Sequence, residues 1–134
     1  MPNPTAAMLV IGDEILSGRT RDANMYHLAT QLTDQGIDLK EVRVVSDDPE
    51  AIVSATRALS AAYTHVFTSG GIGPTHDDIT ADCIAAVFGV SIGVRADARA
   101  ILKAHYDTNG QELNEARLRM ARIPDGAHLI DNPV

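Results

Sequence analysis

The chain has 134 residues, a formal net charge of −7, 45% apolar residues and 22% charged residues. That length suits one domain with a real core, and the acidic balance excludes a general nucleic-acid binder, whose affinity comes largely from Lys and Arg on phosphates. Cys83 is the only cysteine, which excludes a disulfide framework and a thiolate zinc site and fits a reducing cytoplasm.

In chain order, the apolar run "AAMLVI" at residues 6–11 predicts a first strand ending in "GDE". It is too short to cross a bilayer and no basic leader precedes it, so neither a membrane anchor nor secretion is expected. Met25, Leu28, Ala29 and Leu32 then recur at helical spacing, with Asp22 as cap and Gly36 as stop. "LKEVRVVS" predicts a second strand. Asp48 and Pro49 open a helix whose inner stripe is Ile52, Thr56 and Leu59. "HVFTSGG" predicts a third strand. Ile79, Cys83, Ala86 and Val87 form the next helical stripe, closed by Gly89. "SIGVR" fits a short strand. Ala96 to about Ile123 reads as helix, broken near "TNG", and "AHLID" reads as a last strand.

This alternation predicts a mainly parallel sheet with helices on both faces. Ligands in such sheets sit beyond the carboxyl ends of the strands. There the sequence places "GDE", "VVSDD" and "TSGGIGP", so polar groups converge on one rim.

The segment "TSGGIGPTHDDIT", residues 68–80, carries the sharpest signal. It is not a P-loop, and Gly71-x-Gly73-x-x-His76 lacks the third glycine of the dinucleotide fingerprint. Gly70, Gly71 and Gly73 before a helix start could cradle an anion with backbone amides, or could simply turn a strand into a helix. Thr75-x-x-Asp78 resembles a capping box, so capping could account for Asp77 or Asp78. Two acids beside a phosphate cradle ask for more. A carboxylate ~4 Å from a phosphate oxygen is repelled by roughly 4 kcal/mol at an effective dielectric near 20. A Mg²⁺ ion reverses that sign, since it takes carboxylate ligands and bridges to phosphate.

Other rim residues fit the same picture. Asp13, Glu14, Ser17, Arg19 and Asn24 follow the first strand, and Arg19 could balance a ligand's charge. Asp47 follows the second strand; with Asp48 serving as cap, Asp47 is either free for a site or an ordinary turn acid. The histidines show no metal-ligand spacing, and only His76 sits in the loop. Cys83 reads as core, and Arg117, Arg119 and Arg122 of "RLRMAR" as a solvated helix face.

Taken together, "GDEILSGRTRDAN", "VVSDDPEAI", "TSGGIGPTHDDIT" and "NEARLRMARIPDGAHLIDNPV" resemble the N-terminal domain of the competence/damage-inducible protein A family, within the wider molybdopterin-binding fold of molybdenum-cofactor biosynthesis. The resemblance spans nearly the whole chain in family order. It implies a three-layer α/β/α sandwich with a mostly parallel mixed sheet, including one antiparallel strand that periodicity does not reveal. In the molybdopterin adenylyltransferase branch the glycines hold phosphate and two acids serve metal-dependent adenylyl transfer. Those positions fall here at Gly70, Gly71, Gly73, Asp47 and Asp78, while Asp13, Ser17 and Thr80 match shared motif positions.

"GDEILSGRTRDAN" looks more like the competence/damage-inducible branch, whose members resemble divalent-metal nucleotide pyrophosphatases acting on ADP-ribose-type dinucleotides. The resemblance therefore implies a homo-oligomer, dimer or trimer, with Mg²⁺ as cofactor and an ADP-ribose-like dinucleotide or molybdopterin as ligand, while cysteine usage and charge lead to the expectation of a cytoplasmic protein without a nucleic-acid or membrane partner. Alternatives are molybdopterin binding with adenylyl transfer, a ligand-binding module without turnover, or a scaffold whose loop is only a turn. These 134 residues are not expected to include the amidohydrolase domain found in some members. The chain stops at Asn132-Pro133-Val134, where the family continues into a second glycine- and proline-rich loop, so residues 1–134 are expected to form one domain truncated at its C-terminal end.

Overall fold

The computed structural model of the chain describes residues 2–131, so the expected truncation, at residues 132–134, lies outside the described residues. The chain divides into two compact units, one ending at Gly71 and the other beginning at Ile72.

The first unit runs β1 (Thr5–Ile11), α1 (Asp13–Leu16), α2 (Asn24–Asp34), β2 (Asp38–Val45), α3 (Pro49–Ala62) and β3 (His65–Ser69). Its three strands are parallel in the order β2-β1-β3. The first crossover, through α2, leads to one side of β1, and the second, through α3, returns past it to the other side. Because such crossovers share a right hand, opposite directions send α2 and α3 to opposite faces, giving helix, sheet and helix layers. β1 confirms the double cover: Ala6 to Ile11 are all buried, so both faces of the central strand are dry. β2, at the edge, alternates instead, with Leu39, Glu41, Arg43 and Val45 shielded and Val42 and Val44 exposed.

α3 forms as its sequence predicts. Asp48 accepts a hydrogen bond from the Ala51 amide at 2.9 Å, Pro49 occupies the first turn, and Ile52, Ala55, Thr56 and Leu59 are buried. The buried Thr56 hydroxyl donates to the Ile52 carbonyl at 2.7 Å, so it adds no unpaired polar group. Leu9, Ile11, Ile52 and Leu59 are the largest fully buried side chains. Each contributes about 1.5–3 kcal/mol by leaving water. For α2, the Asp22 carboxylate accepts from the Asn24 and Met25 amides at 3.2 and 3.3 Å, capping from one residue further out than the helix boundary. Gly36, at φ +75°, ends the same helix.

The second unit contains α4 (Thr80–Phe88), β4 (Ile92–Val94), α5 (Ala96–Thr108), α6 (Glu115–Leu118), a 3₁₀ turn (Arg119–Ala121) and β5 (Arg122–Pro124). β4 and β5 pair antiparallel, Ile92 opposite Pro124 and Val94 opposite Arg122. That pair supplies the antiparallel element. The expected last strand "AHLID" is not one: residues 127–131 are irregular, and the strand lies upstream, at the end of the stretch read as helix. Arg95 N–H to Ala121 O and Asp125 N–H to Ser91 O, at 3.0 and 2.8 Å, extend the ladder at both ends, and only this non-local partner makes a three-residue strand stable. The α4 stripe also shifts. Thr80, Cys83 and Ala85 are buried, whereas Ala86 is exposed and Val87 half-buried. No helix among the described residues is long and apolar enough to cross a membrane.

Candidate functional site

Strand order places a switch point between β1 and β3. The chain leaves the carboxyl end of β1 towards β2 on one side, while β3 lies on the other, so a crevice is expected beyond the carboxyl ends of β1 and β3. Three features are built at the carboxyl ends of these three strands. First, the β1–β2 ladder continues through Gly12 N–H to Val45 O at 3.0 Å, which brings the two following turns side by side. The Asp13 amide then donates to Asp47 Oδ2 at 3.1 Å and the Asp47 amide to Asp13 Oδ1 at 3.2 Å. Each acid thus spends one oxygen fastening the other's backbone. Its second oxygen has no hydrogen bond among the described residues. Asp13 is exposed and Asp47 half-buried.

Second, Asn24 Nδ2, at the start of α2, donates to Ser69 Oγ at 2.8 Å, fastening the helix end to the carboxyl end of β3. Third, the chain turns sharply after β3. Gly70 has φ +98°, and a β-carbon there would run into the backbone carbonyl of Ile11; Gly71 follows at φ +66°. Gly70 is therefore required twice over, by conformation and by close approach to β1. Ser17 closes α1 with its hydroxyl turned onto the Glu14 carbonyl at 3.4 Å. Its amide donates to the Asp13 carbonyl at 2.9 Å, while among the described residues its hydroxyl makes no bond to either carboxylate. Arg19 is exposed, with no ion pair among the described residues.

In the second unit the turn after Gly73 is organised by Asp78. Its Oδ2 accepts from the Thr75 amide at 2.9 Å and the Thr75 hydroxyl at 2.8 Å, and the Asp78 amide returns to Thr75 O at 3.1 Å. The Gly73 amide also donates to this carboxylate. A β-carbon on Gly73 would stand 2.8 Å from Asp78 Oδ2, so the glycine makes room for the acid. Burial raises the Asp78 carboxyl; the Thr75 hydroxyl, the Thr75 and Gly73 amides and the Arg119 charge together outweigh it and hold the group below its ordinary value. Thr80 is 3% exposed on the first turn of α4, buried against the protein. His76 and Asp77 are exposed and 3.4 Å apart.

The arginines of "RLRMAR" are not a solvated face. Arg117 donates to Glu112 O at 2.7 Å and lies 4.9 Å from the Tyr106 ring centre, Arg119 donates to Thr75 O at 3.2 Å, and Arg122 pairs with Asp82 at 2.8 Å. A helical reading spreads them around a polar face. The break into a short helix, a 3₁₀ turn and a strand instead turns each one onto a different partner. The Asn24–Ser69 bond was also not foreseen as a pair, since 45 residues separate its members and neither is unusual in type.

Among the described residues no three His, Cys, Asp or Glu gather as a metal-ligand cluster. A groove of about 620 Å³ runs between α2 and β2, lined by Met25, Ala29, Thr33 and residues 38–42. It follows the amino-terminal part of β2 rather than the carboxyl ends where the acids and glycines lie.

Comparison with known proteins agrees with this architecture. Residues 7–124 match the family described as a probable molybdopterin binding domain. A CinA-like protein of Citrifermentans bemidjiense is 39% identical over 128 residues, covering 96% of this chain and 31% of that protein. A protein of Metallosphaera sedula is 38% identical over 129 residues, covering 96% of this chain and 49% of its own length. The chain thus spans half or less of these curated relatives. The crystal structure of CinA from Thermoplasma acidophilum, itself described as of unknown function, superposes with a TM-score of 0.88 at 36% identity, covering all of this chain and 78% of that one. The chain belongs to the probable molybdopterin binding domain family, and within it to the CinA-like proteins.

Proposed function

We propose that this chain binds a phosphate-bearing small molecule beyond the carboxyl ends of its parallel strands and, with Mg²⁺, hydrolyses the phosphoanhydride of an ADP-ribose-type dinucleotide. The observation that carries the reading is the Asp13–Asp47 clasp across the carboxyl ends of β1 and β2, which offers two carboxylate oxygens without hydrogen bonds among the described residues, while the Gly70–Gly71 turn follows β3 on the other side of β1. Such oxygen donors fit a hard divalent cation, which takes one or two carboxylates and completes its shell with water and substrate phosphate. We assign Asp47 to that cation; the resemblance of its motif gives Asp78, in the second unit, a metal role as well. When bound, the ion would polarise the phosphate and lower the charge opposing attack by water.

The chain's own residues do the rest. The paired amides of Asp13 and Asp47 hold the clasp rigid, Asn24 and Ser69 fix the β3 end, and the glycine turn lets backbone approach the anion closely. Water adds at one phosphorus and the bridging oxygen leaves with the other, so ADP-ribose gives AMP and ribose 5-phosphate.

The family description supports a second reading, in which the ligand is a pterin and the chain binds it or transfers an adenylyl group. Incubation with ADP-ribose and with adenylated molybdopterin, each with and without Mg²⁺, separates the two. Mg²⁺-dependent AMP release from ADP-ribose is the expected result. Pterin-induced thermal stabilisation without ADP-ribose turnover favours the second reading, and no response to either compound rejects both.

A further inference from the structure

We propose that Arg119 is a positioning residue for the Gly73–Asp78 turn, holding its acid and its backbone amides in the orientation that ligand binding uses. The inference rests on the functional reading above for its ligand but on geometry alone for its mechanism. Residues 70–79 form no regular helix or strand, so few bonds fix their shape. Arg119 supplies two of them from outside the turn. Its Nε donates to Thr75 O at 3.2 Å, and its Nη2 makes a longer contact of 3.5 Å with Asp78 O. The same Thr75 carbonyl accepts from the Asp78 amide, so the guanidinium grips the point where the turn closes on itself.

A planar trans peptide points its C=O and the next N–H in opposite directions. By holding the Thr75 and Asp78 carbonyls, Arg119 therefore turns the His76 and Ile79 amides away from itself. It also keeps Thr75 in place to donate twice to Asp78 Oδ2. One planar fork reaching two carbonyls is a task for arginine; a lysine ammonium brings the charge without the fork. Arg119 sits in the 3₁₀ turn next to buried Ala121, so its backbone is anchored by the unit's core.

The test compares the parent with Arg119→Lys and Arg119→Ala in two measurements. The first is affinity for Mg²⁺ with inorganic pyrophosphate by calorimetry. The second is the NMR amide spectrum, with the Gly73 and Thr75 amides as reporters. Arg119→Ala should weaken pyrophosphate binding roughly tenfold, the scale of one charge-assisted hydrogen bond. It should also shift both amides, and Arg119→Lys should not restore their positions. Amides unchanged in Arg119→Ala overturn the proposal. A parent that binds no pyrophosphate overturns the functional reading instead, and the amide positions still decide the part Arg119 plays. If Arg119→Ala does not fold, Arg119→Lys alone decides: amide positions identical to the parent's overturn the proposal.

Discussion

Asp47 lies two residues after β2 and Asp78 two residues before α4, and the resemblance implies a metal role for both, yet the chain uses them differently. Among the described residues, Asp47 takes a single backbone amide, from Asp13, and its other oxygen takes none. Asp78 takes the Thr75 amide and hydroxyl and the Gly73 amide, and sits in a partly buried turn braced by Arg119. Both are half-buried, but the first acid presents an oxygen that takes no hydrogen bond from the described residues, and the second is enclosed by the donors of its own turn. An acid in a glycine-rich turn is therefore not automatically a ligand: the amides that could hold phosphate can already hold the protein's own carboxylate. Any role of Asp78 in binding comes on top of a structural one, whereas Asp47 has little structure to support.

The turn between strand and acid sets the largest effect. Gly70→Ala places a β-carbon into the Ile11 carbonyl at a φ of +98°, so both the turn and β1 must move. It should destabilise the protein by about 3 kcal/mol or more, read as a fall in denaturant midpoint at unchanged slope. Gly18, also at positive φ but with open space around its β-carbon position, should tolerate alanine with a smaller loss, about 1 kcal/mol.

Next comes the built-in acid. Asp78→Ala removes the acceptor for three donors and should cost about 1–2 kcal/mol, while Asp78→Asn, which still accepts from Thr75, should cost about half of that. The pH dependence sharpens the contrast. Because the folded protein holds the Asp78 carboxyl below its ordinary value, the unfolded chain binds that proton more readily. Its stabilisation is present above the unfolded value, near 3.8, and is lost as pH falls through the lowered folded value. Acid unfolding of Asp78→Asn should therefore be less steep than the parent's in that window, and identical acid limbs would show that the carboxylate is not held as described.

The presented acid gives the smallest change in stability. Asp47→Asn keeps an oxygen for the Asp13 amide and should shift stability by less than about 0.5 kcal/mol. A fall in melting temperature as large as that of Asp78→Ala would erase the distinction between the two acids.

Much of the first unit was legible because its signals are local. The β1 and β3 runs, the Asp48-Pro49 start, the Ile52, Thr56 and Leu59 stripe and the Gly36 stop each lie within a few residues and match the structure. The α/β class followed from their alternation. The second unit was read less well, since β5 exists only through its pairing with β4, and "RIP" carries no strand period of its own. Among the site residues, the glycines and the Thr75–Asp78 box were legible as backbone chemistry. The clasp of Asp13 with Asp47 was not, although both were named, because their contact depends on the parallel register that sets Ile11 beside Val45. Arg119 was read as a surface charge because helical periodicity was extended through a segment that breaks.

Asp47 holds the Asp13 amide with one oxygen, and its proposed role in a metal-dependent phosphate site falls to the other. AMP release from ADP-ribose, measured against Mg²⁺ concentration for the parent and Asp47→Asn, tests it most directly. Asp47→Asn should lose at least about tenfold in turnover, with the Mg²⁺ dependence moved to higher concentration, because a neutral amide is a poor ligand for a hard cation, and should melt close to the parent. Equal turnover and equal Mg²⁺ dependence in the two proteins would contradict it.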